Sequence, residues 1–516
     1  MKDNSRHGFG PSDSLWDLYS AAIICFMVFV QVMQWPLFPF FVDIYYHLSV
    51  MKGFAASGGY VTHAFWEYAP FGRPHIYPPL FHFILLLLYR TGLSVITVAR
   101  LANFLMPLVT IGSIWFVARR ILSKRIAFLA LLIASSVYTF YLATLTTIPA
   151  MLAMTCGIFS FYFIERRRLI TASIFLIAAF YLHLLVPWVM AAALLLYGIF
   201  ERERMAGILC VLIAGIIAAL PLLYHQLRNI AFLSTHTVAQ DWCIELNIFL
   251  CLSAVIGMIY VLRHNGPYRY FIALFLASVP FAWIHPYRYF SGEGVFVLVF
   301  LGAIGIERTA ALLKNSFHCV ILISMVCILF FLASPSVMID RGVLHFVPIN
   351  STFSNAVFGD SYYTHSFLRS IYHAKRYGEI ASIVDKESRK DDILYSNNPF
   401  FVEVIGILTG RATSTGMFQE VRPFVSSDQI AVSRLVIWVK DPKNPSYEPI
   451  EVIKRYKLQK IIDTELSFIY KNSGPVSQRH VQAPLIPEYI VFALMLGAIL
   501  TGSIYRRIRH ENKISL

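Results

Sequence analysis

Apolar runs close to the ~20 residues that a helix needs to cross a bilayer recur along most of this chain. That recurrence restricts it to folds whose backbone polar groups are satisfied inside lipid. The runs fall at 17–38, 97–118, 126–143, 148–164, 169–182, 187–200, 205–226, 244–262, 270–285, 291–306, 316–334 and 486–505. They predict an α-helical polytopic membrane protein of about twelve spans. With 57% of its 516 residues hydrophobic and only 14% charged, the chain lies far from ordinary soluble composition. Leu80 to Tyr89, after Pro78 and Pro79, is apolar but about half the needed length, so it reads as a re-entrant or surface-lying helix. The stretch 169–200 must hold two short spans jointed near His183 and Pro187; a single kinked helix there would reverse the topology on one side of it.

Charge supports this division. With Leu80 to Tyr89 left uncrossed, Arg119, Arg120, Lys124 and Arg125 share a side with Arg166 to Arg168, Arg202 and Arg204, Arg263 and Arg269, Arg308 and Lys314, and the tail Arg506, Arg507, Arg509 and Lys513. Basic loops face the cytoplasm. The expectation is therefore a multi-pass protein of a prokaryotic plasma membrane with both termini cytoplasmic. The net charge of +14 is then mostly a topology signal, and no nucleic-acid partner is expected. No cleavable signal peptide is visible: polar residues up to Asp13 precede a span too long for one, which reads as a retained anchor. The seven cysteines lie in or beside spans, no pair has structural-zinc spacing, and no GxxxxGK loop cradles a phosphate.

Three regions are expected: a helical domain over 1–334 with a large outer loop at 39–96, a small extracytoplasmic α/β domain over 335–485, and a last span with a basic tail over 486–516. The α/β pattern rests on helices near Ser370 to Glu387, Phe401 to Leu408 and Pro449 to Tyr456. Strands alternate with them near Ile393 to Ser396, Leu435 to Val439, Lys460 to Ile462 and Phe468 to Tyr470. Nothing in 335–485 fixes a catalytic constellation of its own. Asn350, Ser351 and Thr352 form an external glycosylation sequon, a low-specificity signal.

Chemistry concentrates in the first outer loop, where Asp43, His47, His63, Glu67, Arg73 and His75 follow directly on a span. Asp43 and His47 are four apart and share one face of a helix, and the same spacing relates His63 to Glu67. A carboxylate and an imidazole so placed can hold a divalent cation, with oxygen-rich sites suiting magnesium or manganese. A lone loop histidine is more often a structural, hydrogen-bonded group. An aspartate among aromatics at a membrane boundary is costly unless it binds something.

Phe41 to Leu48, read as FVDIYYHL, and Glu67 to Leu80, read as EYAPFGRPHIYPPL, resemble the first outer loop of oligosaccharyltransferase catalytic subunits, the STT3 family within the GT-C glycosyltransferases. In that family the aspartate binds a catalytic metal, and a Tyr-Pro-x-Gly-Arg stretch leads into Tyr-Pro. Asp43, Gly72, Arg73, Tyr77 and Pro78 match those positions. Other GT-C enzymes that use polyprenyl-phosphate sugars carry similar Asp then Pro-Pro-Leu patterns. Thr237 to Ala239 sit where the family has Ser-Val-Ser-Glu. Arg288, in YRYF at 287–290, matches an arginine that contacts the donor pyrophosphate, and SNNPFF at 396–401 with LTGRAT at 408–413 takes the place of Ser-Trp-Trp-Asp-Tyr-Gly and its downstream Arg-Thr.

The departures are as specific. An acidic pair expected in the second outer loop is replaced by Ala143 to Thr147, the motif glutamate is Gln240 followed by Asp241, and the tryptophans and aspartate that read an acceptor sequon are Asn397, Asn398 and Pro399. Metal binding is weakened by these changes, and sequon recognition of the usual kind is not expected.

The resemblance implies transfer of a sugar or oligosaccharide from a polyprenyl-phosphate or pyrophosphate donor to a protein, glycan or lipid acceptor on the extracytoplasmic side. In that reading Asp43 and Glu67 are catalytic, Asp43 and His47 hold any metal, Arg288 and Arg73 bind the donor phosphate, and His75, Tyr77, Gln240 and Asp241 meet substrate. The account expects positions 43 and 288 to line one cavity. A catalytically inactive relative that binds donor or acceptor is the alternative. A lipid-linked saccharide transporter is a third reading, disfavoured because few ionisable residues lie within spans apart from His183.

Overall fold

The computed structural model describes residues 13–39, 42–146, 148–232, 244–313, 315–340, 342–358, 374–417 and 428–497. Among them, five helices are long and apolar enough to cross a membrane: Ser14–Leu37, Val95–Ile121, Ile148–Glu165, Arg202–Arg228 and Pro286–Leu312. Shorter apolar helices include Leu169–Leu182, Val186–Phe200, Ile248–Leu262, Arg269–Trp283 and Phe317–Ala333. The chain forms two compact units, each assembled from separated stretches: Met1–Phe41, Arg100–Pro221 and His236–Ile371 in the first, Val42–Ala99, Leu222–Thr235 and Tyr372–Leu516 in the second.

In the first unit, α1 (Asp13–Gln34), α4 (Val95–Ile121), α5 (Lys124–Ser136), α6 (Tyr138–Thr146), α7 (Ile148–Glu165), α8 (Leu169–Leu182), α9 (Val186–Phe200), α10 (Arg202–Arg228), α11 (Ile248–Leu262) and α12 (Arg269–Ser278) follow the apolar runs. Helices α4 and α10 continue into the second unit. The basic loops meet at one end. Asp17 accepts from Arg119 Nε and Nη2 at 2.7 and 3.0 Å and lies 3.1 Å from Lys124 Nζ. Arg166 donates to Arg120 O at 3.2 Å, Arg204 lies 3.4 Å from Glu165, and Arg269 donates to Phe200 O at 3.1 Å. The start of α1 and the end of α4 therefore sit together.

Three span boundaries move, each for a local reason. The run 126–143 is two helices because Val137 is extended and bridges Ser351. The run 244–262 begins with a strand, β4 (Ile244–Asn247), which pairs antiparallel with β5 (Ser336–Asp340); the Asn247 side chain then caps α11 by accepting from Leu250 N at 2.9 Å. The run 291–306 starts in a π-helical turn, Tyr289–Glu293, ahead of the helix Gly294–Leu312. That helix crosses α11 at glycines: a Cβ on Gly257 would come 1.9 Å from Leu301 O, and one on Gly305 2.0 Å from Ser253 O. Small residues let helix backbones touch where apolar burial alone gives no drive to associate.

The joint between α8 and α9 is built by His183. Its Nδ1 accepts from the amides of Leu185 and Val186 at 3.1 and 3.2 Å, and Pro187 follows in the first turn of α9. Two helices, not one kinked helix, occupy this stretch. The sequon at 350–352 is closed: Asn350 is buried, its amide donates to Glu245 and to Ser336 Oγ, and its Oδ1 accepts from Asn355 at 2.9 Å. A glycosylated Asn350 is incompatible with that packing.

The second unit holds α2 (Val42–Ser57) and α3 (Leu80–Arg90), with β1 (Gly59–Tyr60), β2 (His63–Ala64) and β3 (Arg73–Pro74) between them. It also holds a five-stranded sheet, ordered β10 (Leu458–Asp463), β11 (Ser467–Asn472), β9 (Leu435–Val439), β7 (Ile393–Ser396), β8 (Ala412–Thr413). β7 runs parallel to β8 and β9, and β11 antiparallel to β9 and β10. Between β7 and β8 runs the helix Pro399–Thr409. It carries its own punctuation: Asn398 Oδ1 accepts from Phe401 N at 3.1 Å, Pro399 opens the first turn, and Gly410 closes it at φ +72°. Val436, Leu458, Phe468 and Tyr470 form a core under the sheet, each large side chain contributing about 1.5–3 kcal/mol by leaving water. Distant stretches are laced by backbone bonds. β1 pairs with β12 (Ile486–Pro487), and Tyr68 N and Ala69 N donate to Thr415 O and Thr413 O at 3.1 and 2.9 Å.

Candidate functional site

Asp43 occupies the first turn of α2 and is exposed, where the positive end of the helix dipole favours a carboxylate. One turn on, His47 is turned inward. Its ring is buried, with Nδ1 3.0 Å from His82 Nε2 and its face against Tyr77 and Phe81 at centroid distances of 5.3 and 5.1 Å. Burial pushes the His47 imidazole down to about 3, so it stays neutral. The helical pairing of Asp43 with His47 is present in the backbone. The second pair is not helical: His63 lies in β2 and donates from Nε2 to Phe71 O at 2.6 Å, while Glu67 lies in the irregular stretch beyond.

Glu67 and Arg73 face each other. Arg73 Nη2 lies 2.5 Å from Glu67 Oε1, both side chains are wholly out of contact with solvent, and Arg73 Nη1 donates to Pro74 O at 2.9 Å. Gly72 makes this possible: at φ +67° it turns the chain so that Arg73 in β3 returns beside β2. Burial pulls the Arg73 guanidinium down, but the Glu67 carboxylate and Tyr46 more than offset it, so its charge is held firmly. The catalytic role expected of Glu67 and the phosphate role expected of Arg73 thus meet a geometry in which each already satisfies the other. Neither presents surface to a ligand.

His75 is equally enclosed. It packs edge-on against Phe54, Trp66 and His82 at 5.4, 5.6 and 5.7 Å, and both ring nitrogens are buried without a hydrogen-bond partner among the described residues. Burial, then the charge of Arg73, drives its pKa well below the ordinary value. Its backbone oxygen, rather than its ring, makes a link, to His225 Nε2 at 3.0 Å. Tyr77 is buried against His47 and His82. Both residues belong to a packed aromatic–imidazole cluster, which is a physical reason to remove them from direct substrate contact. Gln240 and Asp241 lie outside the described residues.

Glu403 was not singled out in the sequence, because its helix reads as plain apolar. It is buried beside this cluster, accepts from Thr413 Oγ1 at 3.1 Å, and has its carboxyl held well above the usual range by burial and by the neighbouring Glu67 carboxylate. The positions that stand for the sequon reader serve the sheet instead. Asn397 exchanges two bonds with the Val439 backbone at 2.7 and 3.1 Å, and Asn398 and Pro399 start a helix.

Arg288 belongs to the first unit and has a different environment. Its Nη2 pairs with Glu293 Oε1 and lies 3.4 Å from His183 Nε2, and the guanidinium sits 5.8 Å from the Phe281 ring centre. The Glu293 side chain is 1% exposed, but that of Arg288 keeps 20%, and Arg288 Nε has no hydrogen-bond partner among the described residues. Glu293, also missed in the sequence, ends the π-helical turn 289–293, a distortion frequent at functional sites. A signal was available: it is a carboxylate inside an apolar run.

The donor set for magnesium or manganese does not assemble at Asp43 and His47. The His47 nitrogen facing His82 is engaged, and no group of three or more His, Cys, Asp or Glu among the described residues is placed to hold an ion.

No family model matches the chain, and no curated protein matches it. Solved structures do. ArnT from Cupriavidus metallidurans bound to undecaprenyl phosphate matches with a TM-score of 0.57 at 16% identity, covering 90% of this chain and 99% of that one. The archaeal oligosaccharyltransferase AglB from Archaeoglobus fulgidus, in complex with an inhibitory peptide and a dolichol-phosphate, matches with a TM-score of 0.56 at 10% identity, covering 90% of this chain and 75% of that one. The Archaeoglobus fulgidus oligosaccharyltransferase in complex with Zn and sulfate matches at 0.53 and 11%, covering 88% and 74%. The chain shares the fold of these proteins. The resemblance read from Asp43 to Leu80 is thus matched at the level of fold. At these identities a shared fold carries no residue role across, so roles here rest on this chain's own geometry.

Proposed function

We propose that this chain is a membrane glycosyltransferase that moves a sugar or oligosaccharide from a polyprenyl-phosphate or pyrophosphate carrier to an acceptor on the extracytoplasmic face. The observation that carries the reading is the fold likeness, over 90% of the chain, to one protein solved with undecaprenyl phosphate and another solved with a dolichol-phosphate. In the transfer, an acceptor oxygen or nitrogen attacks the sugar's anomeric carbon. The bond from that carbon to the phosphate oxygen breaks, and the electron pair leaves with the phosphate. Asp43, an exposed carboxylate at a helix start, takes the acceptor's proton. Arg288, whose side chain retains 20% exposure, balances the charge that develops on the leaving phosphate. Glu67 and Arg73 are reassigned as a buried brace that fixes the loop after α2. The loss of a sequon reader at Asn397 to Pro399 favours an acceptor other than a sequon peptide.

The test uses full-length protein in proteoliposomes with undecaprenyl- and dolichol-phosphate-linked labelled sugars. Asp43→Asn should cut transfer by about 10²-fold or more while leaving thermal unfolding unchanged. Equal transfer by wild type and Asp43→Asn overturns the assignment of the base. Carrier binding with no covalent product from wild type would establish the inactive reading instead.

A further inference from the structure

A cavity of about 320 Å³ opens within the second unit, beside the C-terminal end of the helix Pro399–Thr409. Lys52 lines it, nine residues beyond Asp43 in α2, which places it about 13.5 Å along the helix from Asp43 at 1.5 Å per residue. Around it stand Arg90, Lys390, Arg411 and Arg479, with Glu403 in the wall. The volume is in the range of small-ligand sites.

Some of this positive charge is structural. Lys390 Nζ and Arg411 Nη1 both donate to Thr409 O, at 2.9 and 3.0 Å, and Arg479 Nη1 donates to Gly410 O at 2.8 Å, so three cations cap one helix end. Capping does not account for the rest. Asp385 is shared by Lys390 and Arg411, Asp391 stands 3.8 Å from Arg479, and Glu488 takes Arg90. Three carboxylates thus serve four of the cations. Lys52 has a phenol instead, donating to Tyr89 Oη at 3.1 Å.

Two buried donors are also left over: Arg411 Nε and Arg479 Nε have no hydrogen-bond partner among the described residues, and neither does Glu403 Oε1. An unsatisfied buried donor costs about 1–3 kcal/mol, more when charged. The Arg479 guanidinium is lowered by burial and by its neighbour Arg411, although Asp391 opposes this. The wall carboxyl, Glu403, is held protonated by burial and Glu67 and adds no countercharge.

We infer that this cavity is a second binding site, distinct from the Asp43 end of α2, and that it takes a phosphate monoester or diester group. Lys52 and the Nε edge of Arg411 supply donors to its oxygens, with the charge of Arg479 alongside, and protonated Glu403 can donate a further bond. Trp66 and Tyr89 also line the cavity. The group can come from a soluble phosphate or from a lipid headgroup, and the two sources separate experimentally.

Full-length protein in nanodiscs of phosphatidylcholine alone is titrated calorimetrically with inorganic phosphate and with glycerol phosphate. In parallel, acetylation of Lys52 by acetic anhydride is followed by mass spectrometry with and without phosphatidylglycerol in the disc. A soluble ligand predicts saturable phosphate binding, weakened about tenfold or more in Lys52→Gln, the loss of one charge-assisted hydrogen bond. A headgroup ligand predicts stronger protection of Lys52 with phosphatidylglycerol, which is net anionic, than with phosphatidylcholine alone, whose choline cancels the phosphate charge. Lys390→Gln is measured beside it, so that a folding defect in one variant does not decide the result. The site is overturned if phosphate does not bind saturably and phosphatidylglycerol gives no protection, or if both variants bind as wild type.

Discussion

Arg73 and Arg288 are each paired with a glutamate, and the two pairs differ in what remains exposed. Arg73 and Glu67 are sealed, with no solvent contact on either side chain, while Arg288 keeps 20% of its side chain exposed above a buried Glu293. A sealed pair cannot exchange partners without opening the loop around it. A pair with one exposed face can accept a phosphate oxygen while the carboxylate holds the other edge. Identical chemistry, an arginine on a glutamate, is therefore a brace in one unit and a candidate recognition element in the other.

Breaking the brace should give the largest effect. Glu67→Gln leaves a buried guanidinium uncompensated and is expected to cost about 3–5 kcal/mol of stability, read as a fall in thermal unfolding temperature in detergent. The double change Glu67→Gln with Arg73→Met should recover part of that loss. Full stability in Glu67→Gln alone would erase the contrast between the pairs.

Next, Arg288→Ala should lower transfer about 10²- to 10³-fold with a much smaller change in unfolding temperature, since one electrostatic donor to the developing charge is removed. If unfolding temperature falls as far as in Glu67→Gln, Arg288 is a brace too.

The smaller effects concern pH and sharpen the picture of the sealed unit. His47, His75 and His82 all have pKa values lowered by burial, so the unfolded chain binds more protons below about 6.5. Their contribution to stability is lost as pH falls from about 6.5 toward about 3, the value for His47. Glu403 acts oppositely: its raised pKa means the folded chain binds the extra proton, so stability declines as pH rises above about 4.5, the ordinary glutamate value. Glu403→Gln should flatten the alkaline side of a stability–pH profile, and His47→Gln the acid side. An unchanged profile in either variant contradicts the burial assigned to that group.

Helical content was legible because it is local. The helix near Phe401 to Leu408 and the half-length segment after Pro78 and Pro79 depend on neighbours a few residues away. What the sequence hid depends on distance or on one unusual dihedral. Glu67 and Arg73 are six apart, a spacing that no helix or strand makes adjacent, and they meet only because Gly72 reverses the chain. The pairing of Gly59–Tyr60 with Ile486–Pro487 spans most of the chain and is carried by two residues on each side, too few to leave a pattern. Glu293 was hidden by an assumption that an apolar run starts as regular helix, whereas the π-helical turn draws its carboxylate inward. The pairing of His47 with His82 was hidden for a simpler reason: spacing says which face of a helix a ring leaves from, not whether another imidazole is waiting there.

Binding of undecaprenyl phosphate to full-length protein in phosphatidylcholine nanodiscs, compared between wild type, Arg288→Ala and Lys52→Gln, tests the central claim most directly. The account predicts saturable binding that weakens about tenfold or more in Arg288→Ala, a larger loss than any in Lys52→Gln. Equal affinity in wild type and Arg288→Ala would contradict it.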